Sequence, residues 1–337
     1  MLKKFIRKIA ENKNLTQEEM TEAMEIIMEG KTNDIQISSF ITALKMKGET
    51  ADEIAAAARV MKEKAIKIKI DSDIILDTCG TGGDGFNTFN ISTASAIVCA
   101  AAGIKVAKHG NKALTSRCGS ADILKAAGVN TEATPEKVKK LVEEINIGFI
   151  FAPNYHPAMK YAMPARKEIG IRTIFNLLGP IVNPANNTHH LMGVPDDKLV
   201  DKISEVFLKL GLKRGLVVCG NGCLDEIAPS GKSRIAEIKD GKIIKYEIKV
   251  SDFGVKEYKI EDIKGGTPEE NAKILQDIFT GKEKGAYYSS VILNAGFAIY
   301  ICDKAKDAKQ GVKIAIDIIS SGKAKEKLEQ LIKASNN

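Results

Sequence analysis

Residues 74–103 read IILDTCGTGGDGFNTFNISTASAIVCAAAG, and their pattern indicates the architecture of most of the chain. The first residues, IILDT, predict a short buried strand, and TASAIVCAAAG predicts a helix. Between them lies the glycine-rich loop GTGGDG, residues 80–85. A strand, a glycine-rich loop and a helix in this order are typical of a mainly parallel sheet that is covered by helices.

The same alternation continues towards the carboxyl terminus. Further candidate strands are IKVAK (104–108), IGFIF (147–151), GLVVC (215–219), IAEIK (235–239) and KIIKYEIKV (242–250). The last two flank Asp240-Gly241, a dipeptide that predicts a β-hairpin. Two proline-containing segments, 157–170 and 176–187, interrupt the alternation. We expect the chain to return there, near 160–180, to a helical domain formed by its amino-terminal part.

That amino-terminal part has a purely helical pattern. TQEE at 16–19 and TADE at 50–53 match the capping box, and Gly30 and Gly48 stand where helices are expected to end. We therefore predict an α/β protein with two domains. Residues 1–69 form a small bundle of about four helices, and residues 70–337 form a large domain with a mainly parallel sheet covered by helices.

The composition indicates a globular protein, with 44% hydrophobic and 28% charged residues. The net charge is +7, but basic and acidic residues are interspersed, as on a solvated surface. The six cysteines are scattered, and no apolar run is long enough to cross a bilayer. We expect reduced thiols, a cytoplasmic location, and neither a membrane nor a nucleic acid as partner.

The glycine-rich loop fits the dinucleotide fingerprint G-x-G-x-x-G through Gly80, Gly82 and Gly85. A dinucleotide site also needs an acidic residue about twenty positions further on, to bind the ribose. No Asp or Glu occurs between Asp84 and Asp122. A Walker loop is excluded as well, because no Lys-Ser or Lys-Thr follows the glycines. The loop therefore suits an anion but matches neither familiar nucleotide motif.

A second loop of similar character, HGNKALTSRCGSAD at 109–122, follows the next predicted strand and opens another helix. Glycine backbone amides and short polar side chains such as Asn90, Ser92 and Thr93 can line an anion site. Both loops would meet in one crevice at the carboxyl ends of neighbouring strands, where open α/β sheets bind ligands. Tight turns with helix caps are the alternative interpretation.

Two further clusters contain side chains that could bind a metal ion or a substrate. Asp225 and Glu226 follow the predicted strand GLVVC and could hold magnesium beside a phosphate ligand, although such a pair is often only solvated surface. The segment 151–180 contains two flat side chains, His156 and Tyr161, and the guanidinium of Arg166, which can bind a carboxylate. Together they suit a small aromatic acid as ligand. His156 and Tyr161 could equally be partly buried structural residues.

Taken together, GTGGDG…NTFNIST, KHGN…GSAD, FAPNYHPAM, RTIFNLLGPIVNPA and Asp225-Glu226 resemble the anthranilate phosphoribosyltransferase family over nearly the whole chain. The resemblance implies a homodimer that forms through the helical domains, and a catalytic domain of the nucleoside phosphorylase and phosphoribosyltransferase type. It implies transfer of the phosphoribosyl group from phosphoribosyl pyrophosphate (PRPP) to the amine of anthranilate, a step of tryptophan biosynthesis. Mg²⁺ is the implied cofactor.

The resemblance also assigns residues. PRPP would be bound by Gly80, Gly83, Asp84, Thr88, Asn90, Ser92, Thr93, Lys108, Asn111, Ser116 and Ser120. Magnesium would be bound by Ser92, Asp225 and Glu226. Anthranilate would contact Gly80, Asn111 and Arg166, with His156, Tyr161 and a Gly179-Pro180 turn lining its approach. Lys108, Asn111 and Arg166 would stabilise the reaction, without a covalent intermediate. Lys112, Arg117 and Cys118 depart from the family's usual residues.

Two other functions remain open at this point. A pyrimidine nucleoside phosphorylase shares the fold, but it would not need adjacent metal-binding carboxylates. A non-catalytic relative that binds nucleic acid would be expected to concentrate basic residues on one face and to lose the acidic pair. The presence of Asp225 and Glu226 argues against both alternatives.

Overall fold

The computed structural model describes residues 2–113 and 117–337. The chain begins with a bundle of four helices: α1 Lys3–Ala10, α2 Gln17–Met28, α3 Asp34–Lys47 and α4 Ala51–Lys64. Both predicted capping boxes form, since the side chains of Thr16 and Thr50 each accept a hydrogen bond from the backbone N–H three residues later. Gly48 follows α3 with a φ of 86°, which glycine adopts at little cost.

A single seven-stranded sheet forms the centre of the larger part. Its strands are β1 Leu76–Gly80, β2 Val106–Gly110, β3 Ile147–Phe151, β4 His189–Gly193, β5 Arg214–Gly220, β6 Lys232–Lys239 and β7 Lys242–Lys249. Their order across the sheet is β3-β2-β1-β4-β5-β6-β7. The first five strands are parallel, and the β6–β7 hairpin continues the sheet in antiparallel pairing. The predicted hairpin at Asp240-Gly241 is confirmed.

Besides three short 3₁₀-helices (Pro157–Tyr161, Val250–Phe253 and Ile260–Ile263), eleven further α-helices are present among the described residues. They are α5 Ile91–Ala101, α6 Ser120–Ala126, α7 Pro135–Ile145, α8 Ala152–Tyr155, α9 Met163–Ile169, α10 Ile174–Ile181, α11 Asp197–Lys209, α12 Pro268–Phe279, α13 Ala286–Ile301, α14 Ala308–Ser320 and α15 Lys323–Asn336. One large core packs α5 and α13 against one face of the sheet. A second core joins the bundle to α9, α10, α11 and the other face.

The structure confirms the predicted fold class, a helical bundle followed by a mostly parallel sheet flanked by helices. Because α9 and α10 share the core of the bundle, the segment near 160–180 packs with the amino-terminal helices. The exact domain boundaries stay a prediction. No helix among the described residues is long and apolar enough to cross a lipid bilayer.

Two features differ from the sequence-based expectations. The strand β4 was not predicted, yet it is buried at the centre of the sheet between β1 and β5. Gly179 and Pro180 do not form a turn but lie in the last turn of α10. Proline removes only one backbone hydrogen bond there, and the buried side chains of Leu178 and Ile181 keep this turn helical.

Candidate active site

Two loops leave neighbouring strands at the same edge of the sheet. Residues 81–90 connect β1 to α5, and residues 111–119 connect β2 to α6. The side-chain amide of Asn90 ties them together, since its Nδ2 donates to the carbonyl oxygen of Cys118 at 3.1 Å. Asn271, on α12, donates in turn to Asn90 Oδ1 at 3.0 Å. The two loops therefore share one crevice, as their positions after adjacent strands predicted.

The first loop needs its glycines for conformation and for space. Gly82, Gly83 and Gly85 have φ values of 63°, 84° and 78°, which residues with a β-carbon rarely adopt. Gly80 has no such φ, but a β-carbon there would collide with a carboxylate oxygen of Asp225. The loop thus lies directly against the acidic pair that follows β5.

Asp225 and Glu226 are both held by backbone amides of the β1–α5 loop region. The N–H of Gly82 donates to Asp225 Oδ2 at 2.6 Å, and the N–H of Ser92 donates to Glu226 Oε1 at 3.2 Å. The two acidic residues are only 8% and 7% exposed. The structure therefore brings Ser92, Asp225 and Glu226 together, although Asp225 and Glu226 follow β5, which lies two places away from β1 in the sheet.

The electrostatics of this group favour a cation. Burial, reinforced by the charge of Asp84, raises the pKa of Asp225 to about 7. Burial and then the charge of Asp225 raise the pKa of Glu226 well above its usual value. Asp84 Oδ2 is buried and has no hydrogen-bond partner among the described residues. Crowded carboxylate oxygens of this kind are the ligands that Mg²⁺ prefers, so the residues present fit that ion.

A lysine lies beside the carboxylates. Lys108, on β2, is only 2% exposed. Its Nζ donates to the Thr78 carbonyl at 2.6 Å and lies 3.4 Å from the hydroxyl of Ser92. Burial lowers the pKa of Lys108, while the charge of Asp77 acts in the opposite direction. The ammonium group can therefore reach a ligand that lies against Ser92.

The other predicted residues of the first and second loops are placed as follows. Thr88 pairs with Lys264 in an isolated β-bridge, and the buried Thr93 Oγ1 has no partner among the described residues. Asn111 is exposed at the end of β2, and its carbonyl accepts from Ser120 Oγ at 3.4 Å. Ser116 lies outside the described residues.

Two buried imidazoles pack against each other. The rings of His109 and His156 are 5.2 Å apart. Burial lowers their pKa values to about 3 and about 4, so both rings are neutral at pH 7. The Nε2 atom of each is buried without a partner among the described residues. His109 was not among the predicted site residues, although it directly follows Lys108.

Three predicted acceptor-site residues lie on the segment that packs with the bundle. The guanidinium of Arg166 stacks over the ring of Phe175, 5.2 Å from its centre, and belongs to none of the ion pairs found among the described residues. Gly179 is half-buried in α10. The ring of Tyr161 instead packs against Gly30 of the bundle. No contact of the described residues links Tyr161 to the crevice, and its place in the site stays a prediction.

Asp77, Cys79 and His190 form a second buried group, with potential ligand atoms within 4.8 Å of one another. Asn187 Nδ2 donates to the His189 carbonyl at 3.0 Å, which orients this amide so that it also donates to His190 Nδ1 at 3.0 Å. His190 Nε2 then carries the proton and faces Cys79 Sγ at 3.1 Å. Hydrogen bonds account for this contact, and we assign no metal to it.

Comparison with protein families agrees with the observed helical bundle followed by an α/β part. The model described as "Glycosyl transferase family, helical bundle domain" matches residues 3–65, and "Glycosyl transferase family, a/b domain" matches residues 72–325. The anthranilate phosphoribosyltransferase of Petrotoga mobilis is 48% identical over 336 residues, covering 100% of this chain and 97% of the relative. This chain belongs to the anthranilate phosphoribosyltransferase family. The resemblance inferred from its motifs is thereby confirmed.

Anthranilate phosphoribosyltransferases of known structure share the fold along almost their whole length. The enzyme from Thermus thermophilus is 40% identical with a TM-score of 0.93, covering 98% of this chain and 99% of its own. The Saccharomyces cerevisiae enzyme in complex with PRPP and Mg is 28% identical with a TM-score of 0.89, covering 99% and 98%. Another yeast structure is a complex with 4-fluoroanthranilate, with a TM-score of 0.88, 28% identity and the same coverage.

Proposed function

We propose that this chain transfers the 5-phosphoribosyl group of PRPP to the amine of anthranilate, giving N-(5-phosphoribosyl)anthranilate and pyrophosphate in tryptophan biosynthesis. The observation that carries this proposal is the contact between the glycine-rich loop and two buried carboxylates, Asp225 and Glu226, at one edge of the sheet. Family membership and the yeast complexes with PRPP, Mg and 4-fluoroanthranilate support the choice of substrates.

The donor would lie along the two loops. Backbone amides near Gly80, Gly83 and Asp84 would face the pyrophosphate, and the remaining contacts would come from polar side chains after each strand. Those side chains are Thr88, Asn90, Ser92, Thr93, Lys108, Asn111, Ser116 and Ser120. Ser92, Asp225 and Glu226 would hold magnesium, which supplies charge neutralisation for the departing pyrophosphate.

The acceptor amine needs little activation, because an aromatic amine is already neutral at pH 7. Its nitrogen lone pair forms the bond to the anomeric carbon while the bond from that carbon to the pyrophosphate oxygen breaks, with inversion and without a covalent enzyme intermediate. The nitrogen then loses a proton to solvent. The residues mainly orient the reactants and stabilise charge: Lys108 on the pyrophosphate side, and Asn111 and Arg166 on the anthranilate side.

The intrinsic fluorescence of anthranilate gives a direct assay. Adding PRPP and Mg²⁺ to the enzyme and anthranilate should make the fluorescence fall, and omitting either PRPP or Mg²⁺ should abolish the fall. Inorganic phosphate with a pyrimidine nucleoside serves as the comparison for nucleoside phosphorylase activity. Phosphorolysis of the nucleoside, together with steady anthranilate fluorescence, would contradict the proposal.

Arg166→Ala is expected to raise the KM for anthranilate by about 10- to 100-fold, since a charge-assisted hydrogen bond to the carboxylate would be lost. The KM for PRPP should stay within about twofold, because the donor would lie along the two loops and not on α9. Lys167→Ala removes a neighbouring exposed cation of α9 and serves as the control. Equal rises in both KM values would show that Arg166 does not bind the anthranilate carboxylate.

We also propose a cytoplasmic homodimer that forms through the bundle. Two large apolar side chains of α3, Ile35 and Met46, are 78% and 84% exposed, and burying them in an interface would be favourable. All six cysteines are free thiols, which suits a reducing compartment. Sedimentation velocity at micromolar concentration tests the dimer; a single species with the mass of one chain would contradict it.

A further inference from the structure

Arg172 connects the bundle side of the molecule to the glycine-rich loop. It lies between α9 and α10, two helices that share the core of the bundle. Its side chain nevertheless reaches the glycine-rich loop, where Nη2 donates to the carbonyl oxygen of Thr81 at 2.9 Å. Arg172 was not singled out in the sequence, and none of the roles described above includes it.

The guanidinium also fills the space beside Gly83. A β-carbon on Gly83 would overlap Nη1, Cζ and Nε of Arg172, so the absence of a side chain at position 83 is what lets the arginine approach. Between Thr81 and Gly83 lies Gly82, whose N–H donates to Asp225 Oδ2 at 2.6 Å. Arg172 therefore contacts both ends of the segment 81–83, and Asp225 binds the N–H of its middle residue, Gly82.

Charge complements this geometry. Burial lowers the pKa of Arg172, while the nearby charges of Asp225 and Asp84 act in the opposite direction and favour its charged form. The guanidinium is thus a cation fixed next to the carboxylates of the proposed metal site. Before a metal arrives, it offsets part of their repulsion, which would otherwise push the glycine loop away from Asp225.

We propose that Arg172 is a positioning residue that holds the segment Thr81–Gly83 against Asp225, so that the loop is already in place to receive the donor. This inference rests on the proposed function for its consequence in catalysis, but the fixation of the loop can be measured without it. If only part of the population has the loop in place, the apparent association constant for the donor is the intrinsic constant multiplied by that fraction.

The first experiment measures the loop itself, by amide hydrogen exchange on peptides that contain Gly82 in the absence of ligands. Arg172→Gln should speed exchange of this segment by about tenfold, as expected for the loss of a charge-assisted hydrogen bond. The matched control is Arg59→Gln. Arg59, on α4, also donates to a backbone carbonyl, that of Lys209 at 3.0 Å, but lies away from the crevice. Unchanged exchange in Arg172→Gln would overturn the proposal.

The second experiment separates positioning from a purely structural role. In Arg172→Gln, the KM for PRPP should rise by about tenfold while the KM for anthranilate and kcat at saturating PRPP change by less than about threefold. Arg172→Lys, which keeps the charge and one donor, should recover part of the effect. A PRPP KM equal to that of the wild type, or equal rises in both KM values, would overturn the proposal. A wild-type enzyme that lacks transferase activity would contradict the proposed function but leave the exchange result intact.

Discussion

Replacing both Asp225 and Glu226 by Ala is expected to lower magnesium-dependent turnover by at least about 1000-fold. Both carboxylates are buried beside the glycine-rich loop, and no other acidic residue lies between β5 and β6. Without them, a metal–pyrophosphate complex has no protein anchor opposite the loop. Steady-state fluorescence assays across a magnesium titration measure the effect, and raising the magnesium concentration should not restore the rate.

The control is Glu143→Ala with Glu144→Ala, an adjacent acidic pair on α7 that also loses two charges. These glutamates form solvent-exposed ion pairs with Lys139 and Lys140, which contribute little to stability. Glu143 also accepts a long hydrogen bond from the Asp71 N–H at 3.5 Å. In metal-free buffer, the Asp225/Glu226 variant should unfold at about the same temperature as the wild type. Removing two mutually repelling buried carboxylates is favourable, and it offsets the loss of acceptors for the N–H groups of Gly82 and Ser92. Turnover within tenfold of the wild type would exclude Asp225 and Glu226 from the metal site.

Most of the fold could be predicted because the relevant signals are local. Strand β3 coincides with the predicted IGFIF, and the capping boxes at Thr16 and Thr50 mark the beginnings of α2 and α4. The central strand β4 could not be predicted in this way. Its sequence, HHLMG, has no β-branched residue, and its conformation depends on parallel pairing with β1 on one side and β5 on the other. That pairing is a property of the assembled sheet.

In the candidate site, too, some features could be predicted from local sequence and others depend on the assembled fold. The loops after β1 and β2, and the acidic pair after β5, were predictable because the carboxyl ends of parallel strands meet at one edge. Arg172 was not predictable, since its contact with Thr81 joins residues 91 positions apart through the packing of α9 and α10 on the bundle. Tyr161 was proposed for the acceptor site from its place in the segment 151–180. Its ring lies against Gly30 of the bundle, and its role in the site stays a prediction.

Lys108→Met is expected to reduce kcat/KM by about 100-fold or more, mainly through turnover. The ammonium group is almost completely buried between the Thr78 carbonyl and the Ser92 hydroxyl. Negative charge grows on the pyrophosphate as its bond to the ribose breaks, and a fixed cation at this point stabilises that charge more than it stabilises the bound donor. The variant should also lose about 1–3 kcal/mol of stability, because the Thr78 carbonyl is left buried without its donor.

Lys105→Met provides a close control for this prediction. Lys105 precedes β2 by one residue and donates to the Asp71 carbonyl at 2.8 Å, but at the opposite end of the strand and in a partly exposed position. The same substitution there should leave both the rate and the free energy of unfolding near those of the wild type. Urea denaturation measures stability, and the fluorescence assay measures turnover. If Lys108→Met lost stability but kept the wild-type kcat, the lysine would serve only to join β1, β2 and α5, and the pyrophosphate charge would have to be stabilised by the loop amides and the metal alone.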